Sequence, residues 1–271
     1  LVGGYRHDRI RVERGVRDLN AGTDSNFGAR YGANSMRLGT VYELTPSSSL
    51  YAQYTDATLP VGALFLLSQA DASFPLAKGE QWETGFKQSL GNLEWTAAIY
   101  YIKLENVLTR DASDPRLTVN NGRQSSRGVE LSADWRATPQ LTLSGNIAAL
   151  SARFDSLTAS DGTSHVGNRP ANVPERIANL YGTYRLKDVP VDFFVGVNHT
   201  GEIYTDNANQ VRINGHTTVD TALSYRLPPA VVNFRVRNAT DRLYAYYGGR
   251  STNQVLLAPE RTFELSTTFE F

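Results

Sequence analysis

Along most of this chain apolar and polar residues alternate one for one. In segment 261–271, Phe263, Leu265, Phe269 and Phe271 fall on one face; Thr262, Glu264, Ser266, Thr268 and Glu270 fall on the other. The stretch before it separates Val232, Phe234 and Val236 from Asn233, Arg235 and Arg237. Before that, Val219, Leu223, Tyr225 and Leu227 stand against Asp220, Ser224 and Arg226. Further back Val129, Leu131, Ala133 and Trp135 oppose Glu130, Ser132, Asp134 and Arg136. Side chains alternate faces along a strand, so each stretch is a strand with one apolar face and one charged face. The same two-residue period predicts about twelve strands. They lie near 1–12, 36–44, 49–58, 80–90, 93–107, 126–137, 141–154, 176–186, 191–203, 215–227, 230–238 and 261–271. Many exceed the five or six residues usual in soluble sheets. Ten or more is what a tilted strand needs to cross a bilayer.

The connections decide between a sandwich and a barrel. Tight ones at 45–48, 91–92, 138–140, 187–190 and 228–229 alternate with long polar ones at 13–35, 59–79, 108–125, 155–175, 204–214 and 239–260. Greek-key crossings give no reason for every long loop to lie at one end. A transmembrane meander with short periplasmic turns and long extracellular loops does so by construction. The expected fold is therefore all-β: an antiparallel up-and-down transmembrane β-barrel, with residues 1–271 as one barrel domain. If the last strand ends at the periplasm, the tight turns are periplasmic and the long loops extracellular. Phe269 and Phe271 then join an aromatic girdle.

Composition fits that picture. No run approaches the ~18 consecutive apolar residues of a membrane-spanning helix, and mean hydropathy is negative, as alternating strands require. Lys and Arg total 27 and so do Asp and Glu, which gives no basic excess for nucleic acid. Cysteine is absent, which excludes disulfides and thiolate chemistry. The four histidines, His7, His165, His199 and His216, are not spaced as a metal pair. No Gly-x-Ser-x-Gly and no Ser–His pairing stands out. Neither an enzyme nor a resident cofactor is expected. The chain begins at Leu1 without an initiator Met or a signal peptide, and reads as part of a longer protein.

A series of short motifs carries a family resemblance. Gly4-Tyr5-Arg6-His7-Asp8 opens it. Arg37-Leu38-Gly39-Thr40-Val41-Tyr42 follows, then Leu50-Tyr51-Ala52-Gln53-Tyr54 and Pro60. Next come Glu83-Thr84-Gly85-Phe86-Lys87 with Ala97-Ala98-Ile99-Tyr100-Tyr101, and Arg127-Gly128-Val129-Glu130-Leu131. Asn238-Ala239-Thr240-Asp241-Arg242-Leu243-Tyr244 and Pro259-Glu260-Arg261-Thr262 close it. In this order the set resembles the barrel of TonB-dependent outer-membrane receptors. Pro174-Glu175-Arg176 and the run from Tyr204 to Asn209 look most like the ferric-siderophore class.

The resemblance implies a 22-stranded barrel of which this chain is the C-terminal half, the globular plug and TonB box being absent from it. A half-barrel has two free edges, and an open sheet is expected more than closure of the last strand on the first. It also implies TonB-energised uptake of ferric siderophores at the outer membrane of a Gram-negative bacterium. The partners would be a ferric siderophore, TonB, and outer-membrane lipid or lipopolysaccharide; nucleic acid is not among them, and iron enters only as cargo. Candidate ligand-binding residues are loop aromatics and arginines: Arg169, Tyr204, Tyr244, Tyr246, Tyr247 and Arg250. They offer flat stacking surface, hydrogen bonds and positive charge. The alternatives are a receptor for cobalamin, haem or another metal chelate, a self-contained twelve-stranded barrel, and a soluble all-β binding domain. Long loops poor in His and Met argue against haem and copper.

Overall fold

The computed structural model describes residues 1–59, 74–114, 117–248 and 254–269. Arg250 and Phe271 lie outside them. Sixteen strands and no helix occur among the described residues. The first seven are β1 (Val2–Asp18), β2 (Thr23–Thr45), β3 (Ser48–Thr58), β4 (Lys78–Leu90), β5 (Leu93–Arg110), β6 (Thr118–Arg136) and β7 (Leu141–Ser156). Then come β8 (Arg176–Arg185), β9 (Val191–Thr200), β12 (His216–Leu227), β13 (Ala230–Arg237) and β16 (Thr262–Phe269). These twelve form one sheet in the order β1-β2-β3-β4-β5-β6-β7-β8-β9-β12-β13-β16, with every ladder antiparallel. The other four make two small hairpins inside loops: β10 (Ile203–Tyr204) with β11 (Arg212–Ile213), and β14 (Ala245–Gly248) with β15 (Val255–Leu257). The sheet is the expected nearest-neighbour meander. β1 and β16 stand at its ends, and no ladder joins them among the described residues.

Register turns the strand alternation into two continuous surfaces. One row across the sheet reads Tyr42, Leu50, Phe86, Ala97, Leu131, Ile147, Ala178. A second reads Leu141, Tyr184, Phe193, Leu223, Phe234, Leu265. The large side chains of both rows are exposed, apart from half-buried Phe86 and Leu141. An apolar band of this extent would be untenable in water and is what hydrocarbon requires. Aromatic neighbours thicken it: Tyr54 and Trp82 lie 4.3 Å apart, Phe86 and Trp95 5.2 Å.

The opposite face is polar and partly self-neutralised. Asp192 pairs with Arg185 at 3.1 Å and with Arg226, and Arg237 with Glu264 at 2.8 Å. Two motif glycines find their reason on this face. Tyr51 lies directly across the ladder from Gly85, and Tyr100 across from Gly128. A Cβ on Gly85 would come within 2.5 Å of the Tyr51 ring, and one on Gly128 within 2.6 Å of the Tyr100 hydroxyl. Each tyrosine lies over the glycine's bare backbone, a known way of covering a glycine in a sheet.

The first connection corrects the sequence reading. Segment 13–35 is not a long loop: β1 and β2 continue through it in unbroken register, and only 19–22 turn. Asp18 caps that turn, accepting from the amides of Asn20 at 2.8 Å and Ala21 at 3.0 Å, and Gly22 takes the left-handed conformation. The extension holds because its inner face is apolar: Ile10, Tyr31 and Ala33 pack with Phe74, Leu76 and Leu108. The other face carries arginines, which masked the strand in the sequence. Segment 108–125 shortens likewise, to 111–117, because β5 and β6 run on.

Candidate functional site

The long connections are knitted together, and asparagine does most of the knitting. Asn209 adopts a positive φ of 59°, a region that asparagine tolerates better than other non-glycine residues. From there its side chain meets the Arg169 backbone twice: Oδ1 accepts from the Arg169 amide at 2.8 Å, and Nδ2 donates to its carbonyl at 2.7 Å. Asn172, also left-handed, accepts from the Gly248 amide at 2.8 Å. Buried Asn207 donates to Thr109 Oγ1 at 2.9 Å and accepts from the Ala171 amide at 3.1 Å, while Asn168 donates to its carbonyl at 3.0 Å. Asp206 accepts from the amides of Gln210 and Val211 at 3.2 and 3.0 Å, closing the β10–β11 hairpin. Loops 157–175 and 201–215, with Gly248 of the last connection, thus form one polar cap anchored to the end of β5.

A second knot ties loop 111–117 to loop 157–175. Asp111 is 1% exposed. Its carboxylate accepts from the amides of Ser113, Asp114 and Ser160 at 2.9, 2.9 and 2.8 Å. It also accepts from the hydroxyls of Ser113 and Ser160 at 2.7 and 3.1 Å. Burial pushes its pKa up, but these bonds outweigh it and hold the group at about 2. Phe154, at the end of β7, and Leu157 and Ala159, at the start of the same loop, are also buried. Further along, Asn238 accepts from and donates to Arg242, and Asp241 accepts from the Arg261 amide at 2.9 Å. The Asn238–Arg261 motif pair therefore closes the last loop on itself.

Of the six candidate binding residues, five are described. Arg169 is embedded in the cap, with its side chain 12% exposed. It contacts Glu175 at 2.8 Å and the Glu202 carbonyl at 3.1 Å, and lies 5.2 Å from the Tyr204 ring centre. It therefore clamps three segments around Tyr204. Tyr244 stacks on His216 with centroids 3.9 Å apart; burial, then Asp220 and Tyr246, raise its pKa. Tyr246 and Tyr247 stand exposed on β14. Arg169, Tyr204 and the Tyr244–Tyr247 hairpin are brought to one region through Asn172, which joins loop 157–175 both to the Tyr204 carbonyl and to Gly248. The sequence reading passed over Asp111 and Asn172, and took Asp206, Asn207 and Asn209 only as part of the Tyr204–Asn209 motif, with no role of their own. Their signal was the density of Asn and Asp in the loops, residues that turn and bridge backbone. Replacing Arg169 by Met is expected to raise hydrogen exchange in 168–175 and 201–212 by about tenfold, the scale of one lost charge-assisted hydrogen bond. Unchanged protection would show that Arg169 is not the clamp.

A membrane-type meander with short turns at one end and its long connections tied into a polar cap at the other is the architecture of an outer-membrane barrel wall. The chain belongs to the TonB dependent receptor-like β-barrel family, which matches residues 1–239. The metal-pseudopaline receptor CntO of Pseudomonas aeruginosa is 31% identical over 281 residues, covering 99% of this chain and 38% of that protein. The ferrichrome outer membrane transporter/phage receptor of Escherichia coli is 28% identical over 208 residues, covering 73% of this chain and 27% of that one. Among solved structures, the ferric yersiniabactin uptake receptor FyuA of Yersinia pestis shares the fold with a TM-score of 0.78 at 22% identity. That match covers 99% of this chain and 42% of that one. The chain spans less than two fifths of the length of these curated relatives. All three are receptors or transporters, not enzymes.

Proposed function

We propose that this chain is the C-terminal part of the barrel of a receptor that takes up ferric siderophores across the outer membrane of a Gram-negative bacterium, energised through TonB. The observation that carries it is the match of residues 1–239 to this family, with 99% of the chain matched by a metal-pseudopaline receptor and 73% by a ferrichrome transporter. In this reading the tight turns are periplasmic and the capped loops face outward. Tyr204, Tyr244, Tyr246, Tyr247, Arg169 and Arg250 contribute to the rim that meets the chelate, Arg169 by holding Tyr204 and its loop in place. TonB would act through a plug and TonB box on a segment preceding this one. Iron passes as cargo, with no resident cofactor. A second reading, uptake of another metal chelate, is favoured by the metal-pseudopaline relative.

Deleting the gene is expected to abolish growth on at least one ferric siderophore as sole iron source, and loss of TonB should reproduce the defect. Normal growth on every siderophore, with failed uptake of a zinc, nickel or cobalt chelate, would move the assignment to the second reading. Tyr246→Ala in the intact receptor is expected to weaken chelate binding by about tenfold, near the stacking and hydrogen-bonding contribution of one aromatic. Barrel assembly should be unaffected, because the side chain is exposed.

A further inference from the structure

Asparagine is a poor strand former, yet three asparagines stand side by side across the middle of the sheet. Asn146 on β7 lies directly opposite Asn179 on β8, and Asn179 directly opposite Asn198 on β9. Thr218 on β12 continues the row. Their chain neighbours Ile147 and Leu180 belong to the apolar outer face, so the three carboxamides face the lumen. Asn179 Nδ2 donates to Asn146 Oδ1 at 2.9 Å, and the Tyr181 hydroxyl donates to Asn198 Oδ1 at 2.9 Å. A carboxamide has two donor hydrogens and an oxygen that takes two bonds. These contacts therefore use a minority of what the row can offer.

The row crosses an uncharged strip of the lumen wall. Inward positions from Thr142 to Leu150, from Ile177 to Thr183 and from Phe194 to Thr200 carry no charged side chain. The strip is three strands wide and some six residues long, roughly 14 by 20 Å at standard strand spacing and rise. Acids flank it at the same depth. Glu130 and Asp134 on β6 are level with Ala148 and Ser144, and Asp220 on β12 is level with Gly196. The upper end meets the loop cap: the Leu150 amide donates to the Glu175 carbonyl at 2.9 Å, and Arg169 joins Glu175 beside Tyr204. At the lower end Arg185 and Arg226 share a single carboxylate, Asp192, which leaves that end positive.

We propose that the lumen face of β7–β9 is the track along which an anionic ferric chelate crosses the barrel, with Asn146, Asn179 and Asn198 as transient partners of its rim oxygens. A cation on the track would hold the chelate, because charge-assisted bonds are roughly twice as strong as neutral ones. Carboxamides give bonds that break in series, and passage requires sites weak enough to leave. The flanking acids confine a negative cargo to the strip between them, and the Arg185–Arg226 pair draws it toward the lower end. The inference rests on the siderophore-uptake reading given above. It adds to that reading the route and the charge of the cargo.

The test uses the full-length receptor in cells lacking other siderophore receptors. The probes are radioiron-loaded triscatecholate and citrate chelates, which are anionic, and an ammonium-bearing trihydroxamate chelate, which is cationic. Asn146→Asp/Asn198→Asp adds two negative charges to the track and keeps its hydrogen bonds, because both side chains act there as acceptors. Uptake of the anionic probe that wild type carries should fall at least about tenfold, the scale of like charges in close passage at reduced dielectric. Binding of that probe to de-energised cells should be unchanged. Thr96→Asp lies in the same row on β5, opposite Lys87, and as the control should leave uptake unchanged. Heat-modifiable mobility on semi-native gels checks that each variant is assembled. Normal uptake by the Asp pair would overturn the proposal, as would equal slowing by Thr96→Asp or a parallel loss of binding. Carriage of the cationic probe alone would overturn it too, while leaving the siderophore reading in place. Carriage of none would defeat that reading and this inference with it.

Discussion

Gly85→Val is expected to prevent assembly of the barrel, and Gly85→Ala to impair it strongly. Gly85 sits in the middle of β4, between β3 and β5, where its neighbours are fixed on both sides. A Cβ there would lie 2.5 Å from the Tyr51 ring and 2.6 Å from the backbone oxygen of Ala97. The ring cannot simply leave: its hydroxyl donates to Glu83 at 2.8 Å, and Lys87 lies 5.0 Å from its centre. The Ala97 oxygen belongs to the sheet backbone and moves only if the ladder does. Overpacking of this kind costs about 1–3 kcal/mol even where side chains alone must yield. The measurement is the folded fraction of intact receptor in outer membranes, read as heat-modifiable mobility. Tyr51→Ala/Gly85→Ala should recover part of the loss, because it frees the ring but not the backbone contact. Full assembly of Gly85→Ala alone would show that the glycine's role is not close approach.

That glycine illustrates what could be read from sequence and what could not. The strands were legible because lipid and lumen impose a strict two-residue period, and Leu223, Phe234 and Leu265 obey it one above another. The tight turns were legible because Gly91-Asn92 and Pro228-Pro229 punctuate uninterrupted alternation. The β1–β2 extension was not, because outside the membrane the outward face no longer needs to be apolar. Glu13, Arg17, Asp24 and Arg30 there look like loop residues until the register is seen to run through them and Tyr31 to pack on the inner side. The candidate site was legible only as composition. Tyr246 and Tyr247 are exposed aromatics wherever the loop goes, but Arg169 owes its setting to Glu175, Glu202 and Asn209, residues up to 40 positions away. Asn207 reaches Thr109 across 98 positions. No local period encodes such contacts. They depend on where the meander brings each loop, and that is fixed only when every register is known.

The loop cap should loosen in acid, and Asp111 should be the reason. In the folded loops its carboxyl titrates at about 2, against 3.8 ordinarily: burial works to raise it, and hydrogen bonds from Asp114, Ser113 and Ser160 overcome that. The native state therefore holds this proton less tightly than the open state. Its stabilising contribution is complete above about pH 4 and drains away as pH falls through the folded value near 2. A depression of this size corresponds to about 2 kcal/mol, or roughly sixtyfold in the opening equilibrium of the knot. Asp111→Asn removes the titration and turns two donor hydrogens toward groups that themselves donate, costing about 1–3 kcal/mol at every pH. Hydrogen exchange of segments 111–114 and 157–163, corrected for its intrinsic pH dependence, distinguishes the two forms. The native receptor should lose protection between pH 4 and pH 2; the Asn variant should be about tenfold or more less protected at pH 6 and flat below it. Asp161 and His165 lie on the same loop, and Asp161 is also held low, by Thr163. Asp161→Asn is therefore the control, expected to leave the acid loss of the Asp111 knot in place. If it instead abolishes that loss, or if Asp111→Asn leaves the protection of 157–163 unchanged at pH 6, the carboxylate is not what joins these two loops.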